Sequence, residues 1–333
     1  MGQTLNPGYD LIITNGDSAG HLLRKAVPNT EVLPWRDVLH EGPVPLTDDL
    51  ESLSEIRADY LADKGWGEPD ALREGFLARD RGLAHNAVFN RVTLWFEQDL
   101  YDQLQLIQLL SWFGENPRAE GNLDLIQADD FLGHQTVESI LEFEERREPV
   151  AARQIAVASK AWAAFRQPTP VAWERLLDED LSPLPYLRQA VLRLLEELPG
   201  HRDGVSRTEQ AILIAVNEGI RTPRQIFPAV QQQEEAAFMG DWSFFALLDA
   251  LTWGDEPLLA GLTHRFSPEL DARGVQDYLE SELHLTAFGF AVLGGAADYA
   301  SEAQYDRWMG GTHLTNSTLW RWDRDSGMLI APA

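Results

Sequence analysis

Short apolar segments alternate with helix-type patterns through the first 147 residues of the chain. The apolar segments are rich in β-branched and aromatic residues, which favours strands. They are DLIIT (10–14), TEVLPW (30–35), RVTLWF (91–96) and NLDLIQA (122–128). Amphipathic helix patterns lie between and after them, at 48–64, at 69–82, from about Asp99, and at 136–147. Because parallel strands need a crossover between them, this order predicts an α/β (Rossmann-like) domain at 9–147 with a small, open, mostly parallel sheet.

The rest of the chain has a different pattern. Over 151–200, apolar residues recur at helical spacing with no strand candidate, which predicts a helical section. Further helical patterns follow at 206–218, 222–234 and 241–252, and strand-like pieces lie at 319–323 and 328–331. Three helices and a hairpin are typical of a winged helix. We therefore expect a mainly helical C-terminal part, with a winged-helix-like domain and a C-terminal β-hairpin at 205–333.

Acidic residues outnumber basic ones by 53 to 27, so the net charge is −26. A nucleic-acid binder needs a basic footprint that releases counterions from the phosphates. The helix predicted at 241–253, which would read DNA in a winged helix, has no Lys or Arg and two Asp. The sequence therefore predicts no nucleic-acid partner.

The chain contains no Cys, so it does not need an oxidising compartment. Its longest apolar runs, such as 104–110, are too short to span a bilayer. Residues 1–10 lack the charged and apolar regions of a signal peptide. These observations predict a cytoplasmic protein with no membrane partner.

Polar residues follow each of the four predicted strands. The loops concerned are 15–20, 35–43, 97–99 and 127–130. In an open α/β sheet, ligands bind beyond the carboxyl ends of the strands. We therefore expect side chains from all four loops to meet at one edge of the sheet and to form the functional site.

The first loop matches Gly-x-Ser-x-Gly at 16–20, between a strand and a helix. This is the context of a nucleophilic serine. The Gly-Asp-Ser sequence there is also similar to the opening of the SGNH (GDSL-type) lipase and esterase family. That family has an Asp-x-x-His pair near its end, whereas here the pair at 37–40 follows the second strand.

The resulting catalytic hypothesis has Ser18 as nucleophile, His40 as base and Asp37 as the residue that orients the base. A serine needs such a neighbouring base to attack at neutral pH. The alternative is that Asp17 and Ser18 are N-terminal caps of the following helix.

Carboxylates after the third strand suggest a metal site. Glu97, Asp99 and Asp102 offer the hard oxygen ligands that Mg²⁺ prefers, and Glu97 and Asp99 are the favoured ligands. Arg24 and Arg36 are near enough in the sequence to bind a substrate phosphate. The alternative for Asp99 is a helix N-cap with an acid three residues later. Glu97 has less reason for a structural role, because burying an unpaired carboxylate at the end of an apolar strand is costly.

Aromatic residues raise three further expectations. Trp35 is a candidate for lining a pocket, although such residues lie more often in the core. The aromatic helix at 241–253, DWSFFALLDALTW, suggests packing, or contact with a protein partner or a second copy of the chain. The Trp-rich segment 306–323 is expected to clamp the two parts of the chain together, or alternatively to form part of the site.

Three stretches resemble, in order, a bacterial family known as domain of unknown function 1835. They are IITNGDSAGHLLRKA, EVLPWRDVLHEGPVP and LWFEQDLYDQLQLIQLL, and they extend from residue 12 to about residue 110. The resemblance implies no activity. It implies that the motif blocks of the family include Asp17, Trp35, Asp37, His40, Glu41, Gly42, Glu97, Asp99 and Gln103.

The leading hypothesis is a hydrolase that acts on a small polar or phosphorylated substrate at this edge of the sheet, with Mg²⁺ as the candidate cofactor. Its catalytic residues would be Ser18, Asp37 and His40, and its metal ligands would be Glu97 and Asp99. The substrate would be bound by Asp17, Arg24, Trp35, Arg36, Glu41 and Gln103. The alternative is a non-catalytic module that binds a small ligand or another protein.

Overall fold

The structure, a computed structural model, describes residues 9–119 and 121–332. The segment 1–10, in which the sequence predicts no signal peptide, lies mostly outside the described residues. Within the described ranges, no helix combines the length and the hydrophobicity that a membrane crossing requires.

The N-terminal part alternates strands and helices as the sequence predicts. Its elements are β1 (Asp10–Asn15), α1 (Asp17–Ala26), β2 (Thr30–Trp35), α2 (Leu50–Asp63), α3 (Pro69–Ala84), β3 (Val92–Phe96), α4 (Leu100–Glu115), β4 (Leu123–Gln127), α5 (Val137–Ile140) and β5 (Glu148–Pro149). The four predicted strands are confirmed. The helix expected at 136–147 is divided, because α5 is followed by a 3-10 helix at Leu141–Arg146.

The C-terminal part is mainly helical. Its elements are α6 (Ala152–Phe165), α7 (Val171–Glu174), α8 (Leu187–Leu195), α9 (Arg207–Asn217), α10 (Pro223–Gln231), α11 (Asp241–Trp253), β6 (Leu259–Ala260), α12 (Ala272–Leu279), β7 (His284–Leu285), α13 (Ala287–Leu293), α14 (Tyr299–Glu302), β8 (Asp306–Met309), β9 (Thr312–Thr315), β10 (Arg321–Asp323) and β11 (Met328–Ile330). The helices α9, α10 and α11 match the three that the sequence predicts.

The sheet has the strand order β2-β1-β3-β4-β5. The strands β2, β1, β3 and β4 are parallel, which confirms the mostly parallel sheet. The short strand β5 adds to β4 antiparallel, and the sequence did not predict it. Strand order reverses between β1 and β3, and in open α/β sheets this is the place where ligands bind.

The two faces of the sheet are covered by different helices. On one face, α1 and α5 enclose a small core that includes Ile12, Leu23 and Ile126. On the other face lies α4, almost entirely buried, which packs against α6 and α8. This second core is continuous from Leu11 to Trp322. The boundaries 9–147, 151–200 and 205–333 stay a prediction, because the sheet and the helical part share one core.

The predicted C-terminal hairpin is confirmed, since β10 pairs antiparallel with β11. It lies against the turn that precedes α9, where the Trp322 N–H donates to Pro199 (3.0 Å) and the Arg324 guanidinium donates to Asp203 (3.3 Å). Two more antiparallel pairs, β6–β7 and β8–β9, were not predicted. The winged-helix-like layout stays a prediction.

The turn between β8 and β9 connects the two parts of the chain. Gly310 and Gly311 approach Phe165 and Arg166 so closely that a Cβ at either glycine would overlap a backbone carbonyl oxygen. The Val44 N–H also donates to the Gly310 carbonyl (2.7 Å). The segment 306–323 therefore clamps α6 to the loop after β2, as the sequence predicts.

Candidate active site

The loop after β2, residues 36–43, is largely buried and has little regular structure. Buried carbonyls need hydrogen-bond donors. Three side chains of neighbouring helices provide them, and the contacts are Arg57 to Val38 (2.8 Å) and Glu41 (2.7 Å), Arg79 to Arg36 (3.2 Å), and Gln105 to Asp37 (2.8 Å). The helices α2, α3 and α4 thus hold the loop in one conformation.

A tight turn at Gly42 completes the loop. Its φ of 74° lies in the left-handed region, which disfavours residues with a side chain. A Cβ at this position would also overlap the ring of Tyr60 on α2. The turn therefore requires glycine for two separate reasons, and it places His40 and Glu41 just before it.

His40 is buried but has no hydrogen-bond partner. Its side chain is only 4% exposed, and its ring packs edge-on against Tyr101 (6.0 Å between centroids) and Phe238 (5.1 Å). Neither ring nitrogen has a hydrogen-bond partner among residues 9–119 and 121–332. The carboxylate oxygen Oε1 of Glu41 lies 3.6 Å from Nε2. His40 is therefore held by contacts with two aromatic rings, with Nε2 facing Glu41 and with no hydrogen bond to Nδ1 among the described residues.

Two cavities meet at His40. One has a volume of about 710 Å³ and lies between α3 and the N-terminus of α11. The other has a volume of about 280 Å³ and lies between α2, α11 and β8. His40 and Ser243 line both cavities. We refer to the two cavities together as the His40 cleft.

Glu41 is ionised at neutral pH. Burial acts to raise its pKa, but the His40 imidazole, the Ser243 hydroxyl and the Lys64 charge together hold the pKa of Glu41 below its ordinary value. Burial and the charge of Glu41 raise the pKa of Tyr60, so its phenol stays neutral. The cleft therefore places a carboxylate beside an imidazole, which is an arrangement suited to proton transfer.

Asp37 does not pair with His40, which corrects the predicted orienting role. Its carboxylate accepts a hydrogen bond from Arg57 (2.9 Å) and lies 3.8 Å from the Arg79 guanidinium. All three side chains are almost fully buried. The physical reason is charge: Asp37 neutralises two buried cations that hold the loop, and Glu41 stands beside His40 instead.

Ser18 does not meet His40 either. It is exposed in the first turn of α1, and a Cβ at Gly133 would lie 3.1 Å from its Cβ. His40 contacts Tyr101 of α4, on the opposite face of the sheet. The capping alternative is wrong as well, because Gly16 is the N-cap of α1 and no side chain caps the helix. Asp17 instead forms a bidentate, exposed ion pair with Arg36 (2.6 and 2.8 Å), which lowers the pKa of Asp17.

A second polar group lies where β1 and β3 end, and we call it the acidic cluster. Glu97, Asp99 and Asp102 are buried there, with one carboxylate oxygen of each within 4.8 Å of the others. The Asn15 amide donates to Glu97 (3.0 Å) and to Asp102 (2.6 Å). The Leu132 N–H also donates to Glu97 (2.8 Å). The Gln98 amide donates to the Asp129 carbonyl (2.9 Å), so three of the four predicted loops converge here, whereas the loop with His40 goes elsewhere.

Burial raises the pKa of Glu97, Asp99 and Asp102, and neighbouring carboxylates raise the pKa of Asp99 and Asp102 further. Asp99 also caps α4 by accepting from the Asp102 N–H (3.2 Å), so its predicted capping role is confirmed. Capping uses one oxygen of Asp99 and does not exclude a metal. The three carboxylates can hold a hard cation such as Mg²⁺, or they can share protons among themselves.

The remaining predicted substrate-binding residues are mostly structural. Trp35 is fully buried, donates to Gln108 (2.9 Å) and lies under the Arg79 guanidinium (4.0 Å). Gln103 is buried and donates to the Glu97 carbonyl (2.7 Å). Arg24 donates to the Val32 carbonyl (3.1 Å). Arg36 and Glu41 do line the His40 cleft, because they belong to the loop after β2.

The aromatic helix is α11, and most of its apolar side chains pack inside its own chain. Phe244, Phe245, Leu248 and Leu251 are buried, and Trp253 is 42% exposed. Packing within the chain, and not contact with a partner, therefore accounts for most of the apolar surface of α11. The N-terminal turn of α11 instead contributes Ser243 to the His40 cleft.

Several residues of the cleft were not predicted. They are Tyr60, Lys64, Tyr101, Phe238, Trp242 and Ser243. Most come from elements far from His40 in the chain, and no motif links them to it. The sequence offered a signal for Tyr101, because it lies between Asp99 and Asp102, directly after the third strand and so at the carboxyl edge of the sheet. Arg307 also lines the cleft, and it belongs to the segment 306–323 that the sequence offered as an alternative part of the site.

No protein-family model matches this chain, and no curated protein matches it in sequence. The resemblance of residues 12 to about 110 to domain of unknown function 1835 stays a prediction.

Proposed function

We propose that this protein is a hydrolase of small polar or phosphorylated molecules, with His40 as its general acid and base. One observation carries the proposal: His40 is buried, lines two cavities, and has no hydrogen-bond partner for either nitrogen among the described residues. A buried polar group without a partner costs stability. Such a group is typical of a site where the substrate or a water molecule completes the hydrogen bonds.

Glu41 is the positioning residue in this proposal. Its carboxylate is ionised and lies 3.6 Å from His40 Nε2. A carboxylate at this distance stabilises the imidazolium that forms when His40 removes a proton. Arg57 and Gly42 in turn fix the backbone that carries both side chains.

The proposed reaction with a phosphate ester proceeds as follows. His40 takes a proton from water while the water oxygen attacks phosphorus. The bond between phosphorus and the leaving oxygen breaks, and the imidazolium returns the proton to that oxygen. Ser243, which shares both cavities with His40, is placed to bind the substrate.

The test is an ester screen with p-nitrophenyl phosphate, bis(p-nitrophenyl) phosphate and p-nitrophenyl acetate, each with and without Mg²⁺. His40→Gln is expected to lower kcat by about 10²–10⁴-fold, the usual contribution of a general acid or base. Ser18→Ala should leave kcat unchanged, because Ser18 is exposed and lies on the other face of the sheet. Thermal unfolding of each variant shows whether the fold is intact.

Glu41→Gln needs a second measurement, since its effect passes through His40. We expect a smaller loss of kcat than for His40→Gln with KM unchanged, because Glu41 stabilises the imidazolium formed during the reaction and not the bound substrate. Turnover that is insensitive to His40→Gln would refute the proposal. No turnover of any ester would also refute it, and would favour the non-catalytic binding module.

A further inference from the structure

The larger cavity of the His40 cleft combines an aromatic wall with an anion-binding end. We propose that the cleft selects small molecules in which a flat apolar ring is joined to an oxyanion, such as a phosphate or a carboxylate. This inference rests on the proposed function for its site, since it names the class of substrate that His40 would act on.

The aromatic wall is built from distant parts of the chain. Trp66 follows α2, Phe76 belongs to α3, and Trp242 lies in the first turn of α11. The rings of Trp66 and Trp242 meet edge-on, with centroids 6.4 Å apart. Aromatic side chains arranged around a cavity favour a flat ring, which can stack on one ring and meet the edge of another. The cavity of about 710 Å³ is large enough for a ring with a side group.

The polar end of the cavity is the N-terminus of α11, a helix of 13 residues. Its N-cap is Gly240, so no side chain caps the helix. Trp242 N–H donates to the Asp241 carboxylate, and Phe244 N–H donates to the Gly240 carbonyl. Within the described residues, the N–H groups of Asp241 and Ser243 have no acceptor. Free N–H groups and the helix dipole favour an anion at such a position.

His40 supplies the independent observation. Its buried side chain, with no hydrogen bond to Nδ1 among the described residues and with Nε2 3.6 Å from Glu41, lines the same cavity as Gly240, Asp241 and Ser243. An oxyanion beside Ser243 would accept a hydrogen bond from the imidazole and from the free N–H. It would place the bond to be cleaved next to the general acid and base.

Charges around the cavity are compatible with this occupant. Arg36 lies at the rim, and Arg79 packs over Phe76 (4.4 Å to the centroid). Two carboxylates also face the cavity, but Asp37 is neutralised by its buried arginines. Asp241 is exposed and bonds to its own helix. Glu41 lies in the adjoining cavity, where its ionised carboxylate is held by the Ser243 hydroxyl and faces His40 Nε2. The oxyanion is therefore expected at the backbone N–H of Ser243, and not at its hydroxyl or at the exposed start of the helix.

Calorimetric binding of four probes tests the inference: phenyl phosphate, benzoate, cyclohexyl phosphate and inorganic phosphate. Phenyl phosphate is expected to bind at least about tenfold more tightly than inorganic phosphate, the equivalent of about 1.4 kcal/mol. It should also bind more tightly than cyclohexyl phosphate, because only the flat ring fits between the aromatic side chains. Benzoate distinguishes a carboxylate from a phosphate as the preferred oxyanion.

Trp242→Leu should bring the affinity for phenyl phosphate close to that for inorganic phosphate, and should leave the affinity for phosphate alone unchanged. Trp66→Leu, in a connecting segment, repeats the test where the fold is at less risk. Trp253→Leu is the matched control, since Trp253 is 42% exposed at the other end of α11. Equal affinity for phenyl phosphate and inorganic phosphate would overturn the inference.

The outcomes separate this inference from the proposed function. Tight binding of phenyl phosphate without turnover of any ester would contradict the hydrolase and keep the ligand class. Turnover that depends on His40 but is equal for aryl and alkyl esters would keep the hydrolase and contradict the ligand class.

Discussion

The His40 cleft and the acidic cluster lie near the same edge of the sheet but differ in how their polar atoms are satisfied. In the cleft, Arg57, Arg79 and Gln105 donate to backbone carbonyls of the loop, and neither ring nitrogen of His40 has a hydrogen bond among the described residues. In the cluster, the carboxylates accept hydrogen bonds from the Asn15 amide and from the backbone N–H groups of Glu97 and Leu132.

This difference shows which of the two places is better suited to bind a ligand. The acidic cluster has three neighbouring carboxyl groups whose pKa values are raised, and the cavity at Asp99 has a volume of about 10 Å³. The cleft has room for a ligand beside an available proton carrier. Perturbed pKa values occur in both functional and structural networks. The cavity beside His40 is therefore a stronger indication of a ligand site than the raised pKa values of the acidic cluster.

The largest effect on this comparison is expected from Arg57→Leu. The change leaves the Asp37 carboxylate without its closest cation and strips donors from the buried loop. We expect the free energy of unfolding to fall by about 3–5 kcal/mol, as for other buried ion pairs that lose one partner. Urea denaturation measures it.

Arg73→Leu is the control for Arg57, because Arg73 forms an exposed pair with Asp59. Its loss should cost much less stability than the loss of Arg57, because solvent screens an exposed ion pair. Adding Asp37→Asn to Arg57→Leu should restore part of the stability by removing the stranded charge. If Arg57→Leu cost no more than the control, the loop would not depend on Arg57.

A smaller effect is expected from Gly42→Ala. The new Cβ would overlap the Tyr60 ring. Alanine would also be strained at this position, because the backbone φ is positive. We expect a loss of about 1–3 kcal/mol in the free energy of unfolding. Gly65→Ala is the matched control, since its φ is 71° but nothing lies within 4 Å of the added Cβ. Equal losses in the two variants would mean that strain alone, and not contact with Tyr60, restricts position 42.

The smallest effect concerns Asp99→Asn in the acidic cluster. The pKa of Asp99 is higher in the folded than in the unfolded chain, so the unfolded chain releases its proton first. The stability of the wild type therefore falls as pH rises above the ordinary carboxyl range, through the pKa of the folded state. Asn keeps the helix cap without the charge. The variant should be more stable than the wild type by about 1 kcal/mol near pH 8, with little difference near pH 4.

Asp129→Asn is the control for this change, because Asp129 is exposed, pairs with Arg146 and has a lowered pKa. It should show no gain near pH 8. Millimolar Mg²⁺ tests the other interpretation of the cluster: if the carboxylates bind the cation, Mg²⁺ stabilises the wild type and removes the advantage of Asp99→Asn. A gain that is equal at both pH values would contradict the raised pKa.

Much of the fold was predictable from the sequence. The strands β1 to β4 were predicted because they contain apolar, β-branched and aromatic residues, and the helices α9 to α11 because their apolar spacing is regular. The pairing of β5 with β4 was not predictable, since Glu148–Pro149 has no strand pattern of its own. The sequence also indicated Glu97, Asp99 and Asp102 as one group, because all three follow the same strand.

The candidate site could be predicted only in part. His40 was named as a site residue, but its spacing along the chain paired it with Asp37 and Ser18. The loop after β1 leads onto the face of α1, where Ala19 is in the core. The loop after β2 leads onto the face of α4, where Leu39 is in the core. Spacing along the chain carries no information about which face a loop follows.

Local patterns in this sequence were enough to determine the parallel sheet, the helices and the carboxylates at the end of β3, because each depends on residues close together in the chain. Only the tertiary structure decided that His40 meets Glu41, Ser243 and Trp242 instead of Ser18. That cleft is formed when α11 and β8, which begin at Asp241 and Asp306, pack against the loop 36–43. Such contacts depend on how the faces of distant elements fit together, and that fit is a property of the folded chain as a whole.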